Sequence, residues 1–191
     1  MTDSSAHIIL QAIDIVAIVK KLRQAKKKIV LTQGSFDLVH IGHARYCDKA
    51  RDYGDVLIVG VDSDEKVRQR KGPNRPIVPE DERMEMLTHL RSVDYVVLKE
   101  AGEKKFNLIK LIKPDVLIAT AQTYDAETIK KLEKICGKVV VLDPMATTST
   151  TAKIRLMQMN TARKIQDRMR SKLIKSIEEV LEELRTARKI Y

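Results

Sequence analysis

The chain has 191 residues, 43% hydrophobic and 32% charged, with a formal net charge of +10; this balance fits a globular class with enough chain to bury a core. No apolar run approaches the roughly 18 residues of a membrane span, and Met1-Thr2-Asp3-Ser4-Ser5 lacks the regions of a signal peptide, so a cytoplasmic protein with no membrane partner is expected. The positive charge favours anionic partners without choosing among nucleic acids, acidic membranes and phosphorylated metabolites, while 4% aromatics and no tryptophan leave few stacking residues for single strands.

Residues 8 to 27 place Ile8, Ile9, Ile13, Ile15, Val16, Val19 and Leu22 on one broad face, which predicts an N-terminal helix lying on the domain and ending in solvated lysines 26 to 28. The run Ile29-Val30-Leu31 then predicts a buried strand.

It leads into Gly34-Ser35-Phe36-Asp37-Leu38-Val39-His40-Ile41-Gly42-His43, followed by an amphipathic stretch from Ala44 to Tyr53. Strand, glycine-bearing turn and helix follow in order, with His40 and His43 in the first helical turn. A helix start offers free N–H groups and a positive dipole end, and two imidazoles beside it suit a polyphosphate. His-x-Gly-His alone also fits a chance capping pattern; the strand before it and the helix after it favour the phosphate site.

Val56 to Val61 reads as a second buried strand, and Asp62-Ser63-Asp64 caps a short helix from Glu65 to Arg70. The loop Lys71-Gly72-Pro73-Asn74-Arg75-Pro76 carries two cations, Lys71 and Arg75, at the end of a parallel strand unit, where ligands bind. Pro79 to Arg83 opens a helix running through Met86, Leu87 and Leu90.

Strands follow at 94–98, 115–119 and 138–142, separated by helices at about 104–112 and 125–135. The expected fold is α/β: a Rossmann-like parallel five-stranded sheet with helices on both faces, plus an N-terminal helix and a C-terminal helical extension. Gly-x-Gly-x-x-Gly and Walker loops are absent, and Cys47 and Cys136 have no metal spacing, so buried reduced thiols and no protein-held metal are expected.

Thr147-Thr148-Ser149-Thr150-Thr151 leads into another helix, and its hydroxyls can cap it or hold phosphate oxygens. Beyond it Leu173, Ile177, Val180, Leu184, Ala187 and Tyr191 form a short heptad seam that packs on the domain or pairs two subunits. The eleven Lys/Arg against five Asp/Glu from residue 152 onward read as a solvated face. The expected organisation is 1–27, an N-terminal helix; 28–155, the main domain; and 156–191, the extension.

These segments together resemble the cytidylyltransferase-like nucleotidyltransferases, with their Gly-x-Phe-Asp-x-x-His-x-Gly-His motif and later Ser/Thr-rich helix start. Within that superfamily the chain is similar to the adenylyltransferase domain that makes ADP-heptose from heptose 1-phosphate. Gly34 to His43, Val61 to Asp64, Lys71-Gly72 with Arg75-Pro76, Pro79 to Arg83, Lys113-Pro114-Asp115 and Ser149-Thr150-Thr151 carry the likeness.

The resemblance implies transfer of AMP from ATP to a phosphorylated small molecule of sugar 1-phosphate type, with Mg²⁺ accompanying the triphosphate. It implies catalytic roles for His40, His43, Lys71 and Arg83, and nucleotide binding by Gly34, Ser35, Phe36, Asp37, Gly42, Arg75, Ser149, Thr150 and Thr151. Where the heptose-type enzyme carries Lys-Gly-Gly-Asp-Tyr, this chain has Ala119-Thr120-Ala121-Gln122-Thr123-Tyr124, so a different acceptor is expected. A cytidylyltransferase using CTP and a phospho-alcohol is the alternative within the class. Outside it stand a non-catalytic nucleotide-binding module and a nucleic-acid-binding protein, the latter supported by charge alone.

Overall fold

A computed structural model describes residues 7–120, 123–143, 145 and 150–187, with side chains in the last segment described from 157 to 178. The chain divides into two compact units, Met1–Thr147 and Thr148–Tyr191.

The first unit is built on six parallel strands: β1 (Ile8–Ile9), β2 (Ile29–Gly34), β3 (Val56–Asp62), β4 (Tyr95–Lys99), β5 (Val116–Thr120) and β6 (Lys138–Leu142), in the order β1-β4-β3-β2-β5-β6. The central strands are apolar at successive positions because both of their faces are covered, as parallel crossovers require; all seven residues of β3 are buried.

Alternation sorts the side chains. Val30, Leu57, Val59 and Val96 pack with Cys47 and Ala50 of α2 (Ile41–Arg51) and with Met84 and Leu87 of α4 (Glu80–Thr88). Ile29, Leu31, Ile58 and Leu117 turn the other way, onto Ile15 and Val19 of α1 (Ile15–Gln24), Leu108 and Ile112 of α5 (Asn107–Ile112), and Leu132 of α6 (Ala126–Leu132). Between β3 and α4 lies α3 (Asp64–Lys71), whose N-cap Ser63 accepts the N–H of Lys66.

The strand count corrects the sequence reading from five to six. Ile8 and Ile9 pair with Val96 and Val97 on the open edge of β4, so the backbone polar groups of this pair find a ladder. The helix expected over 8–27 therefore begins only at Ile15, after a single 3-10 turn at Ala12–Asp14. Its supposed face is split: Ile15 and Val19 are buried, whereas Ile13 and Val16 are exposed.

In the second unit one helix, α7 (Thr150–Ala187), runs without a break through the boundary expected at 155/156. Among the described residues no helix is long and apolar enough to cross a membrane.

Candidate active site

Chain order runs outward from β2 to β3 and β4, then returns to β5 on the other side of β2. That reversal makes the carboxyl ends of β2 and β5 a topological switch point, the place where open parallel sheets bind ligands, and the histidine motif leaves β2 there.

His40 is the N-cap of α2, in extended backbone, and its Nδ1 accepts the N–H of Gly42 at 3.0 Å. His43, at the third helical position, accepts the N–H of His40 on its own Nδ1 at 3.3 Å. This is a reciprocal capping box made of two imidazoles. A ring nitrogen that accepts cannot carry the proton, so each neutral ring is held as the Nε2–H tautomer with a donor at its far end. The rings lie 4.2 Å apart between centroids, and Phe36 meets His43 at 5.5 Å. The expectation of open backbone N–H groups at this helix start needs amending: Gly42 N–H is capped by imidazole and His43 N–H is bonded to His40 O at 2.8 Å.

The loop before the helix is tightly wound, with Phe36 and Leu38 at φ of 49° and 53°, left-handed values that cost non-glycine residues about 1–3 kcal/mol each. Asp37 between them holds the turn. Its buried carboxylate accepts Arg75 Nε at 2.7 Å and the N–H groups of Ile77 and Val78 at 3.0 and 3.1 Å. Gly34 leaves room for the Phe36 ring, whose Cε2 would lie 3.1 Å from a Cβ at that position.

Arg83 is 1% exposed. It donates to the carbonyls of Ser35, Val78 (2.9 Å) and Asp62 (2.9 Å) and to Asp64 Oδ1 (2.7 Å). Four of its five N–H groups are thus used within the protein. Arg83, expected as a catalytic residue, braces the motif loop, β3 and the 75–78 loop together. Arg75 is likewise engaged, by Asp37. Lys71 is different: its amine has no ion pair among the described residues, and partial desolvation, followed by the neighbouring Arg70 and Arg75 guanidinium groups, lowers its pKa.

Sequence reasoning missed a second cluster on this rim. Asp62 is buried and is met by Lys99 Nζ at 2.8 Å and Arg70 Nη2 at 3.0 Å, while Arg70 also donates to Ser35 Oγ at 2.7 Å. Burial alone would raise the Asp62 carboxyl, but the Lys99 and Arg70 cations hold it below its ordinary value. Gly60 makes the reach of Lys99 possible, since a Cβ there would sit 2.8 Å from Lys99 Cδ. Tyr124 comes near the cluster with its ring edge toward Phe106 at 6.1 Å; burial and then the Asp62 charge push its hydroxyl up to about 12. The only signal in the sequence is that Gly60, Asp62 and Lys99 fall on one face by strand alternation, which becomes visible once β3 and β4 are paired in register.

Ala119, which opens the stretch standing in for Lys-Gly-Gly-Asp-Tyr, is 2% exposed inside the apolar cluster of α1, α5 and α6. Thr120 and Thr123 bond to one another through their hydroxyls at 2.7 Å. Ser149 and the side chains of Thr150 and Thr151 lie outside the described residues. Cys47 and Cys136 are buried free thiols; burial pushes Cys47 up to about 12 and also raises Cys136, which suits neither to nucleophilic work.

A model of the cytidylyltransferase-like family matches residues 31–155, which spans the histidine motif, Arg75, Arg83 and the start of α7. The chain belongs to the cytidylyltransferase-like family. It is 41% identical over 145 residues to the bifunctional protein HldE of a Nitratiruptor species, covering 76% of this chain and 31% of that protein. With HldE of Aliarcobacter butzleri it shares 42% over 136 residues, 71% of this chain and 28% of the relative. The match thus spans less than a third of the length of these relatives.

Among solved structures, the lipopolysaccharide core biosynthesis protein from Thermoplasma volcanium aligns with a TM-score of 0.53 at 29% identity, covering 64% of this chain and 99% of that one. Pantoate-beta-alanine ligase from Francisella tularensis aligns with a TM-score of 0.53 at 18% identity, covering 71% and 67% of the two chains, a likeness of fold alone.

Proposed function

We propose that this cytidylyltransferase-like chain is a nucleotidyltransferase that moves the nucleoside monophosphate of a triphosphate, ATP in the first instance, onto a phosphorylated small molecule. A phosphate oxygen of the acceptor attacks the α-phosphorus, the bond from that phosphorus to the bridging oxygen breaks, and pyrophosphate leaves with the electron pair. Such a transfer asks for alignment and charge stabilisation rather than a covalent nucleophile.

The observation that carries this reading is the reciprocal cap of His40 and His43, which turns two Nε2–H donors away from the helix at the strand switch point. Donors held this way need no reorganisation as charge builds on the phosphate oxygens. Lys71 supplies a cation; Asp37, Arg75 and Arg83 position the loop, and Gly34, Ser35, Phe36 and Gly42 shape its backbone. Mg²⁺ accompanying the triphosphate would shield its charge. Ser149, Thr150 and Thr151 are proposed to hold the β- and γ-phosphates. The remaining partners proposed are a sugar 1-phosphate-like acceptor and, through α7, a second copy of the chain.

The acceptor is proposed to differ from heptose 1-phosphate because residues 119–124 lack the charged and glycine positions of the heptose-type enzyme. Pyrophosphate release, measured with each of four nucleoside triphosphates against a panel of sugar phosphates and phospho-alcohols, tests the proposal. ATP with a sugar phosphate is the expected pair. CTP with a phospho-alcohol would support the alternative within the class. Nucleotide binding without pyrophosphate from any pair would mean a non-catalytic module, and efficient turnover of heptose 1-phosphate would refute the acceptor reading.

A further inference from the structure

Every described side chain of α7 from Met157 to Glu178 is exposed, including Ile165 at 54%, Met169 at 66%, Leu173 at 65% and Ile177 at 51%. Along a helix, Ile165, Met169, Leu173, Ile177, Val180 and Leu184 follow one another at steps of four, four, four, three and four, which makes one apolar stripe longer than the heptad seam alone.

The charges beside this stripe are ordered. On one flank Arg168 and Lys172 come first, and Glu179 and Glu183 follow. Measured from the midpoint between Lys175 and Ser176, Lys172 and Glu179 lie equally far on opposite sides, and so do Arg168 and Glu183. The flank is therefore its own complement under a two-fold rotation.

We propose that α7 pairs antiparallel with α7 of a second copy of this chain, about a dyad between Lys175 and Ser176. Antiparallel helices bring like flanks together, so Arg168 of one copy faces Glu183 of the other, and Lys172 faces Glu179. A parallel pair joins opposite flanks at equal height and brings Lys172 beside Arg170 of the other copy, a repulsive contact, with Asp167 answering Arg168 alone. The stripe supplies the association and the charges select its direction. A C₂ interface of this kind is closed and needs no further copies.

The test uses the full chain with a nitroxide spin label on Lys164→Cys or Ser171→Cys, the native Cys47 and Cys136 being buried. About the proposed dyad the two copies of position 164 are offset along the axis by about 35 Å, and those of position 171 by about 14 Å, at about 1.5 Å per residue. A clearly longer label distance at 164 than at 171 is expected. Equal distances would mean a parallel pair, and no dipolar coupling at either position would mean no pair; both overturn the proposal. As a second arm, Glu179→Lys with Glu183→Lys should weaken association about tenfold or more in sedimentation, and adding Arg168→Glu with Lys172→Glu should restore it. Unchanged association in the first of these variants, or no recovery in the second, also overturns it.

Discussion

The imidazole of His43 accepts the backbone N–H of His40 at 3.3 Å, while His40 in turn caps Gly42. The local fold thus sets the tautomer of both rings, and a substitution can separate capping from chemistry. Asparagine at position 40 keeps an N-cap acceptor and loses the Nε2–H donor. His40→Asn is expected to lower turnover about 10²–10³-fold with little change in melting temperature. His40→Ala and His43→Ala should lose comparable turnover, and His40→Ala should also lose about 0.5–2 kcal/mol of stability with the cap. Steady-state kinetics beside thermal melting checks all three.

Asp37→Ala strips a buried acceptor from Arg75 and from the N–H groups of Ile77 and Val78. Removing one partner of a buried pair costs about 3–5 kcal/mol. Denaturant unfolding should show a loss at the lower end of that range or more, with turnover abolished because the left-handed turn is no longer held.

The lowered pKa of Lys71 has a sign that can be followed. In the free protein the folded state binds fewer protons than the unfolded one between the lowered value and the ordinary one, so this residue makes stability rise with pH across that window. The proposed contact with a triphosphate favours the charged amine, so binding should take up a proton and affinity should fall as pH climbs above the lowered pKa. Calorimetric titrations in buffers of different ionisation enthalpy should detect the uptake. Lys71→Arg, charged throughout, should flatten the alkaline limb of the affinity profile.

Lys99→Met leaves the Asp62 carboxylate buried with Arg70 as its remaining ion-pair partner among the described residues. A loss of about 3 kcal/mol is expected. The double variant Asp62→Asn with Lys99→Met should recover part of it, which a double-mutant cycle by denaturant unfolding would measure.

Ala119→Lys puts an ammonium group into an apolar cluster where alanine is 2% exposed. Burying an unpaired charge costs several kcal/mol, so this variant is expected to melt well below the parent and to gain no turnover of heptose 1-phosphate. Melting curves and pyrophosphate release answer the two halves separately.

The amino-acid sequence by itself determined the alternation of strand and helix, the parallel character of the sheet and the place of the histidine motif. These rest on short-range regularities: unbroken apolar runs, capping residues and a strand–turn–helix order that few other folds satisfy. Tertiary structure decided what those regularities cannot encode. Ile8 and Ile9 have helical spacing, yet the open edge of β4 drew them into a sixth strand because its ladder offers their backbone partners. Arg83 and Lys71 are both cations near the same loop; only packing shows that one is spent on buried carbonyls while the other keeps its amine clear of any ion pair among the described residues. Asp62 and Lys99 stand 37 residues apart and meet because β3 and β4 pair in one register above Gly60. Distance in the chain hides such pairs, since they depend on which strands become neighbours, and that is settled by the free energy of the whole core rather than by any single segment.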